Sequence, residues 1–466
     1  MFKKKLFGVL VLTLVLAMFA LSACGPADDG GGAAPAAPPA GADAPADAPG
    51  DAPAVAPGDV EPTVLTFWTF VDTHAQYFAI AQDKWNELNP DRPVQLDTSV
   101  QPFAAMHENL LMALQTGTGA PDLVDVEVGR AEMFLNTPHV PFLPQNEVLA
   151  PYLPYIVYSR LEPWARGGNY FGVCYHVGTV LMFYNRYNWE RAGLTWDGIV
   201  TWQDFIEAGH QMVERTGVEM IQVEGNNIWG FSAMVAQQHT DYVIDGRPNL
   251  DSPEAIRALT LMQDMVYVYE IARPMVGLNI DSEEFYVEIN TNNWATFIAP
   301  AWFMGRFINL APDNAGNVGL APMPVFEAGN NRSSSAGGTM TAVTVQTDPA
   351  IQQLALEFTA FAKASYDMAI LQWSMLGFDP VRWDVLDDPA LLEPSPPLDY
   401  FGPVVIDVLR DVSAETSAVV FSGENAFVVR DFINVNILPN VIVERNVDAE
   451  TALRDAQATL LAQLGF

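Results

Sequence analysis

Aromatic rings and carboxylates stand together at the ends of the first apolar runs of this sequence. Trp68, Thr69 and Asp72 follow one run, and Asp125 and Glu127 close another. An indole stacks on the C–H face of a sugar ring, and a carboxylate accepts hydrogen bonds from its hydroxyls. The set suits a saccharide. A structural role is open to each residue as well: Trp68 suits a core, and Asp125 and Glu127 suit helix caps. Other chemistries leave no pattern. There is no His-x-x-x-His or Cys-x-x-Cys spacing for a metal, and the six histidines are scattered. Neither a phosphate-cradling Gly-rich loop ending in Lys-Ser/Thr nor a G-x-S-x-G elbow occurs. Nothing asks for a cofactor. With 56 Asp and Glu, a glycosidase pair of carboxylates stays open as the enzyme alternative.

The elements that must hold these groups follow from periodicity. Val64, Thr66 and Trp68 alternate with Leu65, Phe67 and Thr69, as in a buried strand. Asp72 or Thr73 can cap a helix whose apolar side is Phe78, Ala81, Trp85 and Leu88, ended by Asn89-Pro90. Val94 to Val100 predicts a second strand, Phe103 to Gln115 a helix, and Leu123 to Val128 a third strand. This β-α-β-α-β order predicts an α/β fold with a mostly parallel sheet, whose ligands gather at the carboxyl ends of strands. Thr201-Trp202-Gln203-Asp204, Ser252-Pro253-Glu254 and Asp348-Pro349 predict further helix starts, and Met340 to Thr347 a strand.

The compartment is written at the start. Lys3, Lys4 and Lys5 precede an apolar run from Leu6 to Ala20, shorter than the roughly 20 residues of a membrane-crossing helix. Leu21-Ser22-Ala23-Cys24 then resembles a bacterial lipobox, which implies cleavage before Cys24 and lipidation of its thiol. The net charge is −34 and becomes three more negative once the head is removed, so nucleic acid is excluded as a partner. From Cys24 to Glu61 the chain is almost entirely Ala, Pro, Gly and Asp and predicts a disordered tether. Cys174 is the one other cysteine and suits a small buried hydrophobe.

Beyond Glu61 a series of short motifs recurs in order. Gly119-Ala120-Pro121-Asp122-Leu123-Val124, Val180-Leu181-Met182-Phe183-Tyr184-Asn185-Arg186, Ala192-Gly193-Leu194 and Thr201-Trp202 are the first four. Ala299-Pro300-Ala301-Trp302, Leu320-Ala321-Pro322-Met323-Pro324, Gly337-Gly338-Thr339 and the block from Phe427 to Leu453 complete them. The sequence from about Val64 onward resembles the bacterial extracellular solute-binding proteins of sugar importers. The resemblance implies a two-lobed periplasmic-binding-protein fold with a hinge, each lobe a mostly parallel sheet flanked by helices. It implies residues 1–23 as signal peptide, 24–61 as lipidated tether, 62–172 plus 323–370 as one lobe, and 173–322 plus 371–466 as the other. It further implies a monomer held to the outer face of the membrane, a saccharide ligand and an ABC permease as partner. Polyamines and phosphate esters are alternative ligands of the same fold, with Arg130 or Arg306 available to a phosphate. By position, Trp302 is the expected stacking ring and Gly337 and Gly338 the main-chain loop of the cleft. Trp229, Tyr175 and Trp373 are further expected contacts, with His176 and Asp379 close by. Ala426 stands where maltose binders carry an aromatic, which argues against maltodextrin.

Overall fold

The computed structural model describes residues 60–419 and 423–466. The expected signal peptide, Cys24 and nearly all of the expected tether lie outside these residues. The described residues form one compact unit.

Two sheets organise it. The first contains β1 (Thr63–Thr69), β2 (Val94–Val100) and β3 (Leu123–Glu127). β1 lies between the other two and runs parallel to both. Leu65, Phe67 and Thr69 of β1 are buried, as their alternation requires. The helix Asp72–Leu88 covers them, with Phe78 at 4.5 Å from Phe67 ring to ring. A second helix, Gln352–Ala364, closes the layer by packing Phe358 and Phe361 on the Trp85 edge at 5.8 and 5.5 Å. Two local expectations fail. The first helix is preceded by Val71 with no side-chain cap, and Leu88 is 65% exposed because the chain ends its packing at Trp85. The helix expected at Asp348-Pro349 begins at Gln352, after a turn closed by the Asp348 carboxylate on the Ala350 N–H at 2.9 Å.

The second sheet contains β4 (Val180–Asn185), β5 (Thr296–Pro300) and β6 (Val318–Ala321), with β4 in the middle. Both neighbours run antiparallel to β4, so this sheet departs from the mostly parallel expectation. The reason is physical. β4 is buried on both faces, and a doubly covered strand reads as one apolar run whatever its direction. Phe183, Phe297 and Phe307 stack beneath it at 5.3 to 5.9 Å with planes within 10°. A further strand, β7 (Thr339–Val343), returns to the first sheet and pairs antiparallel with β3.

Between the two sheets several stretches of chain lie side by side. Ala336 N–H donates to Gly178 O at 2.8 Å, Val177 N–H to Asp379 O at 3.1 Å, and Ser335 N–H to Ser417 O at 2.7 Å. The buried Asp379 carboxylate takes the Gly178 and Thr179 N–H groups at 3.1 and 2.8 Å. Elsewhere the Thr201–Asp204 capping box forms as expected, and Ser252 caps the helix that begins at Pro253.

Phe297 is fully buried at the centre of the aromatic stack. Phe297→Ala should cost about 3–5 kcal/mol of stability by urea unfolding. A loss under about 1 kcal/mol would mean that the stack can collapse onto the vacated ring.

Candidate functional site

A cavity of about 820 Å³ opens where the carboxyl ends of β1, β3 and β5 meet the glycine loop before β7. Phe70 follows β1, Glu127 ends β3, and Trp302 stands on the short turn Ala301–Phe303 that follows β5. Such a size lies within the roughly 300–1,000 Å³ of small-molecule sites.

Trp302 is the fixed aromatic. Its indole N–H donates to Ala336 O at 3.2 Å, Trp229 meets it edge-on at 6.3 Å, and the Arg306 guanidinium lies 5.0 Å above its ring. Asp281, also on the wall, forms an ion pair with Arg306. Against the Trp302 N–H edge runs the main chain of Gly337 and Gly338, at φ +71° and +134°. A Cβ on Gly337 would stand 3.0 Å from the Trp302 indole nitrogen, and one on Gly338 2.5 Å from Arg160 Nη2. The missing side chains therefore let the loop close on both groups. Arg160, itself buried, donates to Gly337 O at 2.6 Å and fixes the loop from behind.

The other polar groups of the wall are muted. Burial pushes the Glu127 carboxyl up, only partly countered by Arg430, the Gly129 N–H and Arg130. The Gly129 N–H donates to this carboxylate at 2.7 Å, so Glu127 caps the following helix while lining the cavity. Burial, with the charges of Arg160, His74 and Lys363, holds His176 well below the ordinary histidine value and so neutral. Its Nδ1 is buried and meets no hydrogen-bond partner among the described residues.

Of the expected contacts, Glu127, Trp229, Trp302, Gly337 and Gly338 come together on this cavity. Four others do not. Asp125 is fully buried two residues below the strand end and bonds only inward. Tyr175 is fully buried beside it, its hydroxyl 3.1 Å from the Asp125 carboxylate. Trp68 is half-buried and packs on the core below the cavity. Trp373 is a core residue whose indole donates to Leu391 O at 3.1 Å. Of the two residues named beside them, His176 lines the cavity, whereas Asp379 is absent from its wall and binds Gly178 and Thr179. Sequence reasoning missed Phe70, His74, Phe103 and Phe378 on the wall. Phe70 and His74 stand just past the end of β1, which was the available signal.

The profile of bacterial extracellular solute-binding proteins matches residues 68–365. A relative from Halalkalibacterium halodurans, an arabinooligosaccharide-binding protein, is 40% identical over 87% of this chain and 91% of its own. The chain is a bacterial extracellular solute-binding protein. A second arabinooligosaccharide-binding protein, from Bacillus subtilis, is 35% identical to the binding protein over 85% of the chain and 92% of its own. In fold, the binding protein matches an ABC-transporter-associated binding protein of B. animalis subsp. lactis solved with β-1,6-galactobiose. The TM-score is 0.68 at 17% identity, over 86% of this chain and 98% of that one. The fold is thus a two-lobed periplasmic-binding-protein fold, and the protein works outside the cytoplasm.

One carboxyl behind the wall gives a pH signature. Glu224 is buried between the segments bearing Trp229 and Asp281, and its Oε2 has no partner among the described residues. Burial pushes it up to about 8, against hydrogen bonds from Ile280, Gly230 and Asn227. A raised folded-state value means that its stabilisation is full below about pH 4.5 and is lost as pH rises toward 8. Glu224→Gln should match the wild type near pH 4.5 and exceed it by roughly 4 kcal/mol at pH 8.5 in urea unfolding. Parallel pH curves would show an ionised, solvated carboxylate instead.

Proposed function

We propose that the binding protein captures a short arabino-oligosaccharide in this cavity and presents it to the permease of an ABC importer. The observation that carries this is the Trp302 ring, braced by Trp229, beside a main-chain glycine loop on the cavity wall. A flat apolar plate against a polar rim matches the two faces of a sugar ring. The two arabinooligosaccharide-binding relatives support the ligand class.

Charge compensation supports a neutral ligand over a polyamine or phosphate ester. Arg306 is matched by Asp281, Glu127 is pushed toward its protonated form, and His176 is neutral. No uncompensated ion among these four is left to attract a charged ligand. Ligand contacts to both lobes exist together only when the lobes close, so binding shifts the population to the closed form that a permease reads. Capture proceeds without bond cleavage. Lipid on Cys24 and the tether to Glu61 hold the protein near the membrane as a monomer. For the lobes we propose 62–172 plus 323–370 and 173–322 plus 371–466. The bridge of Thr201 with Val325 and the pairing of Ser333–Ser334 with Thr416–Ser417 support moving the crossing at 323 to about Gly337.

Thermal unfolding against arabino-oligosaccharides, other saccharides, polyamines and phosphate esters tests the reading. A ligand at 100 times its Kd adds about 2.7 kcal/mol to stability. The expected result is a concentration-dependent rise with arabino-oligosaccharides and no release of reducing ends. A rise from polyamines or phosphate esters alone would overturn the ligand class. Trp302→Ala should weaken the saccharide by about 1–3 kcal/mol in titration calorimetry. Unchanged affinity would remove Trp302 from the site.

A further inference from the structure

The cavity wall carries one imidazole whose proton the fold fixes from behind. His74 is 4% exposed, lines the cavity, and lies against the Tyr175 ring at 4.0 Å. Its Nδ1 is 2.9 Å from Asp125 Oδ2. Which partner holds that proton is decided by the rest of the Asp125 shell. Thr69 Oγ1 lies 2.7 Å from Oδ2 and already accepts the Val71 N–H at 3.4 Å, so its own proton points to the carboxylate. Thr341 Oγ1 lies 2.7 Å from Oδ1 and already accepts from Lys363 Nζ at 3.2 Å, so its proton does the same. The Tyr175 hydroxyl donates as well, at 3.1 Å. A carboxyl surrounded by these donors is an ionised acceptor. Nδ1 of His74 must then be an N–H. On a neutral ring this leaves Nε2 as a bare lone pair. Nε2 makes no hydrogen bond to any described residue and is not among the solvent-sealed atoms that lack one.

We propose that His74 is a specificity-determining residue of the cleft, its Nε2 a fixed acceptor for one ligand hydroxyl, with Asp125 as the positioning residue that sets the tautomer. The inference rests on the saccharide reading above. A buried acceptor of fixed polarity rejects a ligand lacking a hydroxyl there, because binding would strip water from Nε2 and return nothing. Ring neutrality agrees with the surroundings: burial and the Lys363 charge outweigh the pull of Asp125 and hold His74 below its ordinary value.

Two substitutions separate the two nitrogens. In His74→Asn the side-chain amide takes the place of Nδ1 and still donates to Asp125, while nothing replaces Nε2. In His74→Gln the amide reaches the place of Nε2 and the Asp125 bond is lost. The test is titration of the full chain in detergent with arabinotriose, alongside ¹⁵N spectra of the labelled histidines. His74→Asn should bind at least about 10-fold more weakly at an unchanged melting temperature, and His74→Gln should keep more of the affinity than His74→Asn. The wild-type spectrum should show His74 protonated on Nδ1 alone, and Asp125→Asn should move proton population to Nε2. Wild-type affinity in His74→Asn, or a proton on Nε2 in the wild type, would overturn the assignment. If the wild type itself fails to bind arabinotriose, the substrate reading falls, and the spectra still decide whether Nε2 is the unprotonated nitrogen, a proton on it overturning the assignment.

Discussion

The architecture depends on one buried carboxylate. Asp125 is fully buried, and its donors arrive from β1, the first helix, the segment before β4, and β7. Lys363 stands in the same pocket, bonded to Thr339 O and Thr341 Oγ1 and set 2.8 Å from the centre of the Tyr175 ring. Removing such charges from water costs several kcal/mol per ion, and only a full set of partners offsets it. Burial pushes the Asp125 carboxyl up, yet His74, Lys363 and Thr341 outweigh it and keep the value low. Lys363 bears the larger strain, pushed by burial to about 7 despite Asp125 and Cys174. The pair is more a constraint of position than a source of stability. It requires groups from residue 69 to residue 363 to converge, and that convergence sets the wall from which His74, His176 and Thr339 face the cavity.

A chain with formal charge −34 nevertheless lines its cleft with groups that cancel. Surface carboxylates beyond a Debye length of about 8 Å are screened from the cavity at physiological salt. What a ligand meets is set locally, by an Arg306–Asp281 pair over Trp302 and by neutral imidazoles. The acidity describes the outer surface, and the recognition chemistry is a separate matter of buried hydrogen-bond polarity.

The sequence made much of the first sheet legible, because β1 and its helix present clean periods of 2 and 3.6 to a single core. The site was placed along the right strands but too deep. Asp125 lies two residues below Glu127, or about 7 Å down the strand. β3 is buried on both faces, so only its last residue escapes to the cavity. Trp68 fails for the same reason: its strand ends one residue later, and it is Phe70 that reaches the wall. Periodicity reports which face a side chain takes and says little about its height. Trp302 and the two glycines, which line the cavity, were reachable because they lie in local turns that short motifs encode. His74 was not, since its meaning arises from a carboxylate 51 residues away. The antiparallel course of the second sheet was hidden by the same double coverage.

Among the described residues, buried polar atoms without hydrogen-bond partners occur both in the core, as at the Trp164, Trp189 and Trp294 indoles, and near the cleft. His176 Nδ1 and Glu224 Oε2 are buried without hydrogen-bond partners among the described residues, whereas Asp125 in the scaffold has every partner it can use. An unmade hydrogen bond in such a place costs about 1–3 kcal/mol. A fold selected for stability alone would remove that cost by an apolar exchange, since a neutral imidazole contributes no ion pair. His176 instead sits on the cavity wall against Phe378, at 4.8 Å, beside the glycine loop. The unpaired nitrogen is thus a cost that the scaffold carries beside its cleft, on a ring that a stability criterion alone would not retain.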